Sequence, residues 1–203
     1  MKVNFSNLEI SAVQSVLPDG IENLNDLKDL YGEGVVNKII KTTGIHQVSK
    51  AKPNIAASDL CYEAARLLLE RCGIQPESVD GIIFVSQTRD YILPQTSSIL
   101  QDRLGLSQET VCFDLPLGCS GYIYGLLQAA LLISSSSCSK VLVLAGDTTT
   151  RMINDLDRAS RMVFGDAGSA TLMQKGKHNF YFNIQNDGSG AKKLIIPAGG
   201  FRT

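Results

Sequence analysis

Polar and apolar residues alternate from Val3 to Val16, as they do along a half-buried strand, and Leu17-Pro18-Asp19-Gly20 then supplies turn residues that stop it. From Leu24 to Ile40 the apolar positions Leu27, Leu30, Val35, Ile39 and Ile40 recur at helical spacing. Gly32 and Gly34 are expected to divide that stretch into two short helices, and Thr43-Gly44-Ile45 breaks the pattern. Ile55 to Cys72 is the clearest amphipathic helix: Leu60, Ala64, Leu67, Leu68 and Cys72 share one side, and Gly73 is placed to end it. After Gln75-Pro76-Glu77, the run from Gly81 to Ser86 is of the short apolar kind found in strands covered on both faces by helices.

Pro94 suits the first turn of a helix that runs to Leu104 and stops at Gly105, because its missing N–H is not needed there. A short strand, Val111-Cys112-Phe113, leads to a long apolar helix after Cys119, then a strand from Lys140 to Ala145 and a polar segment from Gly146 to Ser160. Met162 to Ile196 reads as strands with turns at Gly165-Asp166, Lys175-Gly176 and Asp187-Gly188. This order implies one α/β domain over residues 1–203, with a mostly parallel mixed sheet and helices on both faces. The sequence ends at Phe201-Arg202-Thr203 without an element that closes the fold.

Composition narrows the function. With 19 basic against 20 acidic residues and no basic block, nothing supplies the clustered positive field that nucleic acid or an anionic membrane needs. The first twenty residues lack the continuous apolar core of an export signal. Apolar stretches such as Leu126 to Ile133 fall short of the roughly 20 residues of a membrane span. Five cysteines without an export signal point to reduced thiols in the cytoplasm. Cys61, Cys72, Cys112 and Cys138 read as packing residues, and with no Cys-x-x-Cys and two scattered histidines no metal site is expected.

Chemistry concentrates at Leu117-Gly118-Cys119-Ser120-Gly121-Tyr122, between a strand ending near Asp114 and the apolar helix. A cysteine at the N-terminus of a buried helix lies beside unsatisfied N–H groups, where the helix dipole favours thiolate over thiol. Gly118 and Gly121, lacking side chains, are expected to let a substrate carbonyl and its carrier arm approach the backbone, with the Cys119 N–H as a donor to the oxyanion. The competing reading is a buried, inert cysteine.

Thr43-Gly44-Ile45, the Pro76-to-Gly81 turn, Leu93-Pro94, Asp114 with Gly-Cys-Ser-Gly, Asp157-Arg158, Phe164-Gly165-Asp166-Ala167-Gly168-Ser169-Ala170 and Asp187-Gly188-Ser189 stand in a recognisable order and spacing. The chain thereby resembles the amino-terminal half of the β-ketoacyl-acyl-carrier-protein synthase III family. That resemblance implies a thiolase-like half in a cytoplasmic, homodimeric acyltransferase of fatty acid biosynthesis, with Cys119 as nucleophile. The implied reaction is a decarboxylating Claisen condensation of an acyl thioester with a malonyl-carrier thioester. Acyl carrier protein and coenzyme A thioesters are the implied partners and substrates, and no permanently bound cofactor is implied. The family's catalytic His and Asn belong to a second half, so the 203-residue chain alone is expected to be inactive in condensation; His46 and His178 do not match the family's catalytic position.

Residue by residue, the resemblance assigns Arg158 to the adenine end of coenzyme A, Phe164 to the pantetheine tunnel and Leu93 to the floor of the partner subunit's acyl pocket. Two positions depart from the family: its adenine-stacking tryptophan aligns with Lys38 and a nearby arginine with Thr42. Loss of an aromatic stacking surface removes about 1–3 kcal/mol, which leaves room for a carrier-protein-bound acyl primer in place of acetyl-coenzyme A; the alternative is that Lys38 pairs with a phosphate and preserves binding in another form. Two alternatives stay open: a non-catalytic condensing-enzyme relative that contributes dimer surface, and another acyltransferase of the thiolase superfamily.

Overall fold

The computed structural model describes residues 1–197 and 199; the segment Phe201-Arg202-Thr203 lies outside them. The initial alternation forms one long strand, β1 (Lys2–Val16), in which Asn7 takes φ 61° at a bulge that shifts the register between Phe5 and Leu8. Next, β2 (Ile21–Asn23) and β3 (Gln47–Ser49) pair as a small antiparallel ribbon. A 3-10 turn (Leu24–Leu27), α1 (Lys28–Tyr31) and α2 (Glu33–Thr43) lie between them. The stretch divides into two short helices as expected, at Gly32 with φ 89°, while Gly34 sits inside α2. Gly44 closes α2 in the left-handed conformation.

The amphipathic stretch becomes α3 (Ala57–Cys72), capped by Gly73 at φ 63°. The apolar run becomes β4 (Gly81–Val85), buried at every residue. Helix α4 covers Thr96–Arg103, so Pro94 precedes the helix instead of opening it. The reason lies in β5 (Val111–Leu115): the Asp114 carboxylate accepts the N–H groups of Thr96 at 2.7 Å and Ser97 at 2.8 Å and fixes the helix start there. The apolar helix is α5 (Gly121–Ser134), followed by β6 (Lys140–Asp147), the short α6 (Arg158–Arg161), β7 (Ala167–Lys175) and β8 (His178–Asn183). No strand follows β8 among the described residues: a 3-10 turn at Gly188–Gly190 replaces it, and Leu194, Ile195 and Ile196 are exposed.

Six strands form one sheet in the order β5-β4-β6-β7-β1-β8. β4 is parallel to both β5 and β6, while β7 is antiparallel to β6 and β1, and β8 antiparallel to β1. The sheet is therefore mixed, with β5, β4, β6 and β1 running one way. Successive residues of β4 face opposite sides. Ile82 and Phe84 pack with α3 and α4, and Ile83 and Val85 pack with α5. Helices thus cover both faces, and the two cores meet through a strand that no solvent reaches. A third cluster, with Leu24, Val36, Val48 and Met162, joins α2 to the segment after α6.

Candidate active site

From the end of β5 the chain turns through Pro116 and Leu117. The Leu117 N–H reaches back to the Leu115 carbonyl at 2.8 Å, and the Gly121 N–H donates to the Gly118 carbonyl at 2.7 Å. Cys119 sits on this turn, immediately before Ser120, the residue that flanks α5, and its side chain is exposed. The backbone N–H groups of Cys119 and Ser120 have no protein acceptor among the described residues. An exposed sulfur therefore stands next to free donors at the start of an apolar helix, an arrangement able to hold the oxygen of a carbonyl attacked by that sulfur.

Gly121 serves packing, which corrects for that glycine the expectation that it leaves room for substrate. A Cβ at Gly121 would stand 2.6 Å from a methyl of Val85, so this glycine lets the first turn of α5 settle onto β4. A Cβ at Gly118 would stand 2.8 Å from Oε1 of Gln87 and 3.1 Å from its Nε2. The space beside the Cys119 turn is taken by the Gln87 amide.

Gln87 is held from behind. One carboxylate oxygen of Asp147, the last residue of β6, accepts the Ser86 hydroxyl at 2.9 Å, the Gln87 N–H at 2.8 Å, and the Thr88 N–H and hydroxyl at 2.9 Å each. On the other side the Ser86 N–H donates to the Leu115 carbonyl at 3.2 Å. Asp147 thus pins the carboxyl ends of β4 and β6 together beside the end of β5. Sequence reasoning missed Asp147 and Gln87. The available signal was a lone carboxylate closing the apolar run Val141 to Gly146, at the strand end where α/β sheets place their sites.

Asp166 forms a second fixed point. Fully buried, its carboxylate accepts the Ala51 N–H at 2.8 Å, the Thr150 N–H at 3.0 Å and the Thr150 hydroxyl at 2.7 Å. Its own N–H and carbonyl engage Ser49. These bonds join the ribbon, the segment after β6 and the start of β7.

Of the other residues singled out by the sequence, Arg158 opens α6 with an exposed side chain that makes no ion pair among the described residues. Phe164, 46% exposed, borders a small cavity with Val48, Lys50, Thr150 and Arg161. Phe164 borders Val48 of the cluster that joins α2 to Met162, and Lys38 is exposed on α2. Leu93 is 83% exposed on the loop between β4 and α4. The loop around Arg158 and Phe164 is tied to the Cys119 turn through the bonds of Thr150 to Asp166, Thr148 to Thr88, and Asp147 to Gln87.

An ion pair also went unnoticed in the sequence: Arg161 grips Glu22 with two bonds of 2.7 and 3.0 Å and reaches Asp155 at 2.7 Å. The Arg161 guanidinium holds the Glu22 carboxyl below the usual carboxylate range. Among the cysteines, burial pushes the Cys61 thiol up to about 12 and raises Cys112 and Cys138. Cys72 is exposed, not packed. The two histidines stand apart from the turn: His46 lies between α2 and β3, and His178 opens β8 at the sheet edge opposite β5. No group of three or more metal-binding side chains occurs among the described residues, and no helix there is long and apolar enough to cross a membrane.

Residues 113–188 match the family model for 3-oxoacyl-[acyl-carrier-protein (ACP)] synthase III. A β-ketoacyl-[acyl-carrier-protein] synthase III from Solibacter usitatus is 35% identical over 200 residues, covering 96% of this chain and 60% of that protein. One from Desulfitobacterium hafniense (strain Y51) is 32% identical over 189 residues, covering 92% and 56%. The crystal structure of a 3-oxoacyl-(acyl-carrier protein) synthase from Burkholderia xenovorans LB400 superposes with a TM-score of 0.97 at 35% identity, covering all of this chain and 58% of that one. The chain thus spans less than two thirds of the length of these relatives.

Proposed function

We propose that the chain belongs to the 3-oxoacyl-[acyl-carrier-protein] synthase III family, whose model it matches over residues 113–188 and to whose members it is similar, and that it is the amino-terminal, acyl-accepting part of a decarboxylating Claisen-type condensing enzyme. The observation that carries this reading is the exposed Cys119 beside unclaimed backbone N–H groups at the entry to α5. The Cys119 sulfur, as thiolate, attacks the carbonyl of an acyl thioester; the Cys119 N–H holds the oxygen while charge develops on it. Collapse expels the carrier thiolate, which takes up a proton, and leaves the acyl group on Cys119. A malonyl-carrier thioester then loses carbon dioxide, and its carbanion attacks the acyl carbonyl. The bond to sulfur breaks, giving a 3-oxoacyl-carrier product and the free Cys119 thiolate.

Acyl carrier protein and coenzyme A thioesters are the substrates of this reading, in the cytoplasm, and the scheme uses no resident cofactor. Arg158 and Phe164 take the coenzyme A or carrier arm, and Leu93 contacts the acyl pocket of a partner subunit. The homodimer forms through β5, one of the two edges of the sheet, whose outer side pairs with no strand among the described residues. The 203 residues alone complete no condensation, since His46 and His178 stand away from the Cys119 turn.

The test gives the whole protein an acyl thioester and malonyl-acyl-carrier protein. Equal amounts of carbon dioxide and 3-oxoacyl product, lost in Cys119→Ser and from the 203-residue chain, are expected. Undiminished product with Cys119→Ser contradicts the reading.

A further inference from the structure

The structure lays the amide of Gln87 directly against Gly118, the residue before Cys119. All three of its terminal atoms fall within 3.1 Å of the place a Gly118 Cβ would occupy. Adjacent Cα atoms are about 3.8 Å apart, so this amide stands beside the residue next to the one that carries the sulfur. Its backbone is fixed: the N–H of Gln87 is bound to Asp147, which also holds the residues on either side. Its side-chain amide has no hydrogen-bond partner among the described residues and is exposed. A donor and an acceptor therefore stand free on a rigid base at the mouth of the site, where packing alone would be served equally well by an apolar side chain of that size.

The geometry points to Gln87 as a specificity-determining residue that hydrogen-bonds a polar substituent within the first few carbons of the acyl group on Cys119. The inference rests on the acyl-accepting role proposed for Cys119. Nε2 donates to a hydroxyl or keto oxygen of the acyl chain, and Oε1 accepts from a hydroxyl. The substrate class that follows is an acyl thioester oxygenated near its carbonyl, in preference to a plain alkyl one. Asp147 acts through Gln87, as a positioning residue.

The experiment compares the rates at which the whole protein takes up 3-hydroxybutyryl and butyryl groups from their coenzyme A thioesters, read by intact mass, in the wild type and in Gln87→Leu. A neutral hydrogen bond lost without replacement is worth about 1–1.5 kcal/mol, or about tenfold in rate. The wild type should load 3-hydroxybutyryl about tenfold faster. Gln87→Leu should load the two groups at equal rates. A wild type without preference, or a preference that survives Gln87→Leu, overturns the specificity role while leaving Cys119 as acyl acceptor. Alkylation of Cys119 by iodoacetamide and both loading rates falling together in Gln87→Leu would make Gln87 a prop of the turn and also overturn it. A wild type that loads neither group overturns the role of Cys119 and this inference with it.

Discussion

The turn at Gly118-Cys119 and the turn at Gly165-Asp166 both lie in the motifs that carry the resemblance, yet their interiors are opposites. At Asp166 every donor and acceptor is spent: the carboxylate takes three bonds, the backbone two more, and no solvent reaches the residue. At Cys119 the sulfur is exposed and the adjacent N–H groups have no protein acceptor among the described residues. One turn gives its hydrogen-bonding capacity to the fold, and the other keeps it for a ligand. The difference separates a motif residue that holds the chain from one that meets substrate, even where both lie in equally recognisable sequence.

Stability measurements on the two residues should break the comparison most sharply if it is wrong. Asp166→Ala strands one buried and two partly buried donors and is expected to cost about 2 kcal/mol or more in urea unfolding. Cys119→Ser, at an exposed position, should stay within about 0.5 kcal/mol of wild type. Equal losses at both positions would erase the distinction. A smaller effect sharpens the picture of the corner near Asp166. The Glu22 carboxyl, held low by Arg161, contributes stability above the ordinary carboxylate range that is lost as pH falls through it. Glu22→Gln should lack that portion of the acid loss, a difference below about 1 kcal/mol for a partly solvated pair. An acid limb identical in both proteins would remove Arg161 as its cause.

Local elements were legible in the sequence because their causes are local. The apolar spacing of Leu60, Ala64 and Leu68 with Gly73 behind it specifies α3, and the apolar run Gly81 to Val85 marks a buried strand. Cys119 stood out from its glycines and the apolar helix that follows. Long-range pairing was harder to see. Nothing within β7 announces that it lies antiparallel between β6 and β1, and the start of α4 depends on Asp114, 18 residues away from Thr96. Gln87 and Asp147 were missed for the same reason: a glutamine after one strand and an aspartate after another acquire meaning only when the sheet brings both to the Cys119 turn. Gly121 was assigned to substrate access because its true neighbour, Val85, lies on β4, far away in sequence.

The central claim is that Cys119 accepts an acyl group, and peptide mass spectrometry after incubating the whole protein with an acyl-coenzyme A tests it most directly. The account predicts one acyl adduct, on the peptide containing Cys119, absent from Cys119→Ser, with the buried Cys61 untouched. An unmodified Cys119 peptide, or an adduct that persists elsewhere in Cys119→Ser, would contradict it.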